Sequence, residues 1–111
     1  MPIESRKMDT GVAVIKISGR LVFGREADRL ESEVSDLLKQ GQGKFVFDLS
    51  ALDYVDSTGI GTIVACLTQI KKAGSELRTA GANPRIQRLF TTTGVDKLLT
   101  LYPTVAEAAA G

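Results

Sequence analysis

The sequence predicts an α/β fold: a mixed, mostly parallel sheet of about five strands with about four helices, in one domain spanning residues 1–111. Three observations carry that expectation. The apolar pattern switches repeatedly between a period of two and a period near 3.6. Glycines, several beside Ser or Thr, stand at the switches. After an initial pair of strands, strands and helices alternate, which demands crossover connections and hence parallel pairing.

Residues 3–8 have a weak strand pattern, and Asp9, Thr10 and Gly11 read as a turn. In "VAVIKIS" Ala13, Ile15 and Ile17 share one face while Val12 and Val14 share the other, so a strand is expected over 12–18, ended by Gly19. "READRLESEVSDLLKQG" changes period. Ala27, Leu30, Val34, Leu37 and Leu38 recur at helical spacing, the acidic residues face away, and Gly41 supplies the stop. "KFVFDL" returns to strand, apolar on both faces except at Asp48, the mark of a central strand.

The next helix is expected over about Ser57–Lys72, with Ile60, Ile63, Val64, Leu67 and Ile70 on one stripe and Gly74 as its end. "ELRTA" is a short strand. In "NPRIQRLFTTTG" Asn83 is an N-cap and Pro84 the first helical residue, which puts Ile86, Leu89 and Phe90 on the buried side. "LLTLY", residues 98–102, is a last strand or extended piece, and Thr104 with Glu107 forms a capping-box pattern opening a short alanine-rich helix.

Composition closes off much chemistry. Hydrophobic residues make up 43% and charged residues 24%, ordinary values for a globular protein. A formal net charge of +1 points to neither nucleic acid nor an anionic membrane as a partner. With no His, neither a Ser-His-Asp site nor the usual zinc sites can be built, and no metal or other cofactor is expected. The single Cys66 lies inside a helical pattern and reads as a small inert residue. No apolar stretch is long enough to span a bilayer and "MPIESRKM" lacks a signal-peptide core, so a cytoplasmic protein is expected. No helix shows a second apolar stripe, which makes a monomer the expectation.

The stretch "DSTGIG", residues 56–61, stands where the strand should hand over to the helix. Asp, Ser and Thr are favoured N-caps, because a side-chain oxygen satisfies an orphan N–H and an acid suits the positive end of the helix dipole. A functional reading rests on two further points. The turn at the carboxyl end of a central strand is exposed, and ligands meet α/β sheets there. Beside Ser57 and Thr58, successive turns carry Gly61, Thr62 and Ala65, so one side of the helix has no bulky residue to crowd a partner. Gly59 and Gly61 each cost up to about 1 kcal/mol in a helix relative to Ala, which implies that close approach is wanted, by a partner or by the domain itself.

From "VFDLSALDYVDSTGIG" through "NPRIQRLFTTTGVDKL" the chain resembles the STAS domain of bacterial anti-sigma factor antagonists, over nearly its whole length. That resemblance implies a partner switch and not an enzyme. The hydroxyl directly after the Asp, Ser57 here with Thr58 as the runner-up, would be phosphorylated by an anti-sigma factor that is itself a serine kinase. The unphosphorylated protein would bind that kinase and free a sigma factor; phosphorylation would end binding, and a serine phosphatase would reset the switch. Asp56, Ser57, Thr58, Gly59, Gly61, Thr62 and Ala65 are then the expected contact surface.

In one place the chain departs from the family, which commonly has Gly-Glu-Leu-Asp or Gly-Glu-Ile-Asp after the second strand. Here the residues are Gly19, Arg20, Leu21, Val22 and Phe23, followed by Gly24 and Arg25. Arg20 and Phe23 therefore join the expected partner surface, and Arg20 or Arg25 could pair with a phosphate on Ser57. Two rivals stand beside this reading. A phosphate-cradling nucleotide hydrolase would need the Gly-Lys-Ser/Thr ending of a P-loop, which is missing. A docking module of a transport or stress-sensing complex would keep the fold and lose the sigma-factor control.

Overall fold

The computed structural model describes residues 3–110; Met1, Pro2 and Gly111, at the ends of the expected domain, lie outside the described residues. In chain order these form β1 (Ile3–Lys7), β2 (Ala13–Ile17), β3 (Gly19–Leu21), α1 (Arg25–Lys39), β4 (Lys44–Asp48), β5 (Leu52–Val55), α2 (Ser57–Lys72), β6 (Glu76–Ala80), α3 (Pro84–Thr93), a 3-10 turn (Val95–Lys97), β7 (Leu101–Tyr102) and α4 (Val105–Ala110).

The main sheet runs β1-β2-β4-β6-β7. Only the β1–β2 pair is antiparallel; β2–β4, β4–β6 and β6–β7 are parallel. The mixed, mostly parallel five-stranded sheet and four helices expected from the sequence are present, and β4 is the central strand. The β1–β2 hairpin closes through Met8, whose N–H donates to the Val12 carbonyl and whose carbonyl accepts from Gly11, both at 2.8 Å. Gly11 has φ +92°, a conformation that glycine adopts without strain.

The alternation in β2 and β4 divides the core in two. Ala13, Ile15, Ile17, Phe45 and Phe47 join the larger cluster with Leu30 and Val34 of α1, Ile63, Cys66, Leu67 and Ile70 of α2, and Ile86 and Phe90 of α3. Val12, Val14, Val46 and Ala80 point the other way, where the short α4 contributes Ala108. Burial of a side chain the size of Phe, Leu or Ile stabilises by roughly 1.5–3 kcal/mol, so the three-helix face supplies most of the apolar stabilisation.

Two short strands differ from the expectation. Gly19 does not simply end the second strand; it begins β3, which pairs in parallel with β5 as a separate two-stranded sheet. The run after β4 does not continue as one strand, because Asp48 Oδ1 accepts the Ser50 N–H at 3.0 Å and the Leu52 N–H donates to the Leu49 carbonyl at 3.1 Å. That local turn carries the chain out of the main sheet, and β5 then aims its carboxyl end at α2. The expected segment 98–102 shrinks to β7. The 3-10 turn buries Val95, Leu99 beyond it is buried as well, and Leu98 is left 49% exposed.

Candidate functional site

The hand-over from β5 to α2 is made by Asp56. Its backbone is extended (φ −94°, ψ −175°) and it caps α2. Oδ1 accepts the Gly59 N–H at 2.7 Å, Oδ2 accepts the Phe23 N–H at 3.2 Å, and the Asp56 N–H donates to the Leu21 carbonyl at 3.3 Å. One carboxylate thus ties the start of α2 to the β3–α1 loop. The Gly59 N–H is the main cause that holds the carboxyl below its ordinary value of 3.8; partial desolvation opposes this, and the Phe23 N–H assists. At neutral pH Asp56 is ionised.

Capping is therefore done by Asp56, and Ser57 is left as the first helical residue with an exposed side chain. Thr58, Gly61 and Ala65 are exposed as well. A Cβ built on Gly61 would meet nothing within 4 Å, so the surface beside Ser57 is low and open.

Two residues of the expected surface are turned inward instead. Gly59 is buried, and a Cβ there would overlap the Leu21 carbonyl oxygen and fall 2.7 Å from Val55 Cγ1. Its missing side chain lets α2 pack on the backbone of β3 and offers nothing to a partner. Thr62 is 5% exposed, with its hydroxyl donating to the Thr58 carbonyl at 3.0 Å inside the helix. It packs on the core side of α2.

The β3–α1 loop brings the remaining candidates to the same end of the fold. Phe23 is 81% exposed, a large apolar side chain held over solvent while its N–H is bound by Asp56. Arg20 is exposed, and its guanidinium carbon lies 4.9 Å from the Tyr54 ring centroid, a cation–π pair across the β3–β5 ladder. Arg25 is exposed at the start of α1.

Two contributors escaped the sequence reading. Tyr54 seats Arg20, and Leu21 supplies the carbonyl that both anchors Asp56 and excludes a side chain at position 59. The signal for both is the β3–β5 pairing. Among the described residues no group of three or more Cys, Asp or Glu could hold a metal ion, and no helix is long and apolar enough to cross a membrane.

The STAS domain family model matches residues 5–108. An anti-sigma-B factor antagonist of Staphylococcus aureus is 31% identical over 86 residues, 77% of this chain and 78% of that protein. An anti-sigma F factor antagonist of Paenibacillus polymyxa is 27% identical over 93 residues, 83% of this chain and 79% of that protein. The crystal structure of an anti-sigma factor antagonist from Mycobacterium paratuberculosis is similar at a TM-score of 0.81 and 27% identity, covering 97% of this chain and 90% of that one.

Proposed function

This chain belongs to the STAS domain family, and from that premise we propose that it is an anti-sigma factor antagonist switched by phosphorylation of Ser57. The observation that carries the reading is the exposed Ser57 hydroxyl at the first position of α2, next to a cap that leaves it unused. In the binding-competent form an anti-sigma factor kinase rests on the low face made by Ser57, Gly61 and Ala65, with Phe23 as a neighbouring anchor. That docking frees the sigma factor.

In the switching step the Ser57 oxygen attacks the γ-phosphorus of ATP on the kinase. An Oγ–P bond forms, the bond to the ADP oxygen breaks, and the serine proton leaves to a base of the kinase. The product adds a charge of about −1.5 to −2 and three strong acceptors. Within the domain this is tolerable, because the group stands at a helix N-terminus whose N–H groups favour an anion. Under a docked partner it is not. The phosphate lies beside the ionised Asp56 and occupies the space left by Gly61, so it must be desolvated against a like charge. A loss of only about 3 kcal/mol weakens binding more than a hundredfold. A serine phosphatase restores the hydroxyl.

Arg20 is the residue of the non-acidic loop that gives the switch its own specificity. Stacked on Tyr54, it presents a cation on β3, next to the loop that Asp56 holds, where a kinase surface adapted to an acidic rim would find repulsion.

The test is to incubate the protein with ATP and a candidate anti-sigma factor serine kinase from the same genome, then map the modified residue by mass spectrometry. Phosphate on Ser57, absent in Ser57→Ala, is the expected result, with Ser57→Glu binding the kinase at least about a hundredfold more weakly than the unmodified protein. Equal binding by Ser57→Ala and Ser57→Glu defeats the mechanism.

A further inference from the structure

We propose that the groove between β5 and α3 is a second docking site, one that takes an acidic protein segment carrying an apolar side chain. The groove encloses about 350 Å3, at the small end of the range for ligand sites. Val55 and Ile86 form its buried floor, half-buried Leu89 lines one side, and Tyr54, 45% exposed, lines the other. β5 pairs with β3 on one edge; towards α3, Asn83 at the start of that helix donates to the Leu52 carbonyl at 3.1 Å, and the groove lies between the remainder of the two elements.

The charge at its rim is net positive. Arg85 and Arg88 line the groove from α3, both exposed and three residues apart, so they emerge on the same side of the helix. The single carboxylate in the lining is Asp53. Among the described residues no ion pair joins Arg85 or Arg88 to a carboxylate, and α3 itself contains no acidic residue. Arg85 also stands in the first turn of α3, where the helix dipole disfavours a cation. Both guanidinium groups are thus exposed and make no ion pair within the described chain.

A partner with carboxylates would be complementary to these two cations. Carboxylates pair with guanidinium groups in forked geometry, and aromatic and Arg side chains are the residues enriched at protein interfaces. The apolar floor chooses the class of partner. Free phosphate or sulfate would be satisfied by the rim and gain nothing from Val55, Ile86 and Leu89, whereas an acidic peptide bearing Leu, Ile or Phe uses both. This surface goes beyond the Ser57 switch and does not depend on it. Tyr54 and Val55 lead directly into Asp56, so a protein long enough could touch both.

The experiment is selection of a phage-displayed library of random dodecapeptides on the full chain, followed by titration of a synthetic peptide with the selected consensus. Enrichment of Asp and Glu around Leu, Ile or Phe is expected, with amide shifts centred on Tyr54, Val55, Leu89 and Thr92. Arg85→Glu/Arg88→Glu should weaken the peptide by at least about tenfold, and Arg85→Gln/Arg88→Gln by less, both with unchanged circular dichroism. No enrichment, a neutral or basic consensus, shifts elsewhere, or undiminished binding by the charge-reversed protein would each overturn the proposal.

Discussion

The two faces of α2 use the same residue type for opposite ends. Gly59 and Gly61 stand two positions apart in one short motif. On the inner face, a side chain at Gly59 would collide with the Leu21 carbonyl and Val55; on the outer face, one at Gly61 would meet nothing. The inner glycine joins β3, β5 and α2 into one packed unit, and thereby sets where Ser57 is held. The outer glycine keeps the neighbouring surface low. Shape inside and accessibility outside are separate requirements, and a glycine can meet either one.

Gly59→Ala strains the inner face most. The added methyl meets a backbone oxygen that cannot rotate away, so α2 must lift from β3, at a cost of about 3 kcal/mol. For a chain of this size that is a fall in Tm on the order of 10 °C, measurable by thermal melting. Cys66 gives a second readout from the same face. Burial, with a smaller contribution from Glu31, pushes its thiol up to about 12, which keeps it from reacting with alkylating reagents near neutral pH. Its labelling should accelerate in Gly59→Ala as the helix loosens. A variant within about 0.5 kcal/mol of the parent, with Cys66 still protected, would show that α2 is not held by that close approach.

The outer face should show the reverse pattern. Ser57→Glu is expected to cost at least about 3 kcal/mol in kinase binding while changing the unfolding free energy by no more than about 0.5 kcal/mol. Gly61→Ala sharpens the contrast at smaller scale. Replacing glycine by alanine in an unobstructed helical position should stabilise the fold by up to about 1 kcal/mol, since the unfolded chain loses freedom and no contact is strained. A larger residue, Gly61→Gln, should keep the fold and weaken the partner about tenfold, read by calorimetric titration of the kinase. If Gly61→Ala melted lower than the parent, the outer face would be packed against something after all.

Most of the frame was legible because it rests on local patterns. The alternation in "VAVIKIS" and "KFVFDL" placed two faces of the sheet, and the caps Asn83 and Asp56 marked two helix starts. What escaped is non-local. β3 and β5 have three and four residues, too few for periodicity to register, and their pairing joins Gly19 to Leu52. Without that pairing nothing reveals that Leu21 lies over position 59, so Gly59 and Gly61 look alike in the sequence. Thr62 was hidden for a related reason. A threonine can turn its methyl to the core and give its hydroxyl to a carbonyl of its own helix, here Thr58, so its polarity says nothing about its face. The groove against α3 is equally a product of where β5 runs.

The smallest expected effect concerns the residue that belongs to both faces. Asp56 binds Gly59 of the inner face and the loop of exposed Phe23 through one carboxylate. Its folded-state pKa lies below the ordinary 3.8, so the carboxylate's contribution to stability is complete above that value and disappears as pH falls through the depressed one. Near neutrality it does not vary. Asp56→Asn keeps a good cap and removes the titration, so urea midpoints of the two proteins should run parallel above about pH 5 and converge on acidification. The amide signals of Phe23 and Gly59 should titrate together with a midpoint under 3.8, because both donate to the same group. Separate midpoints would mean that the loop and the helix are not clasped by one side chain, and that the outer surface can move without the inner.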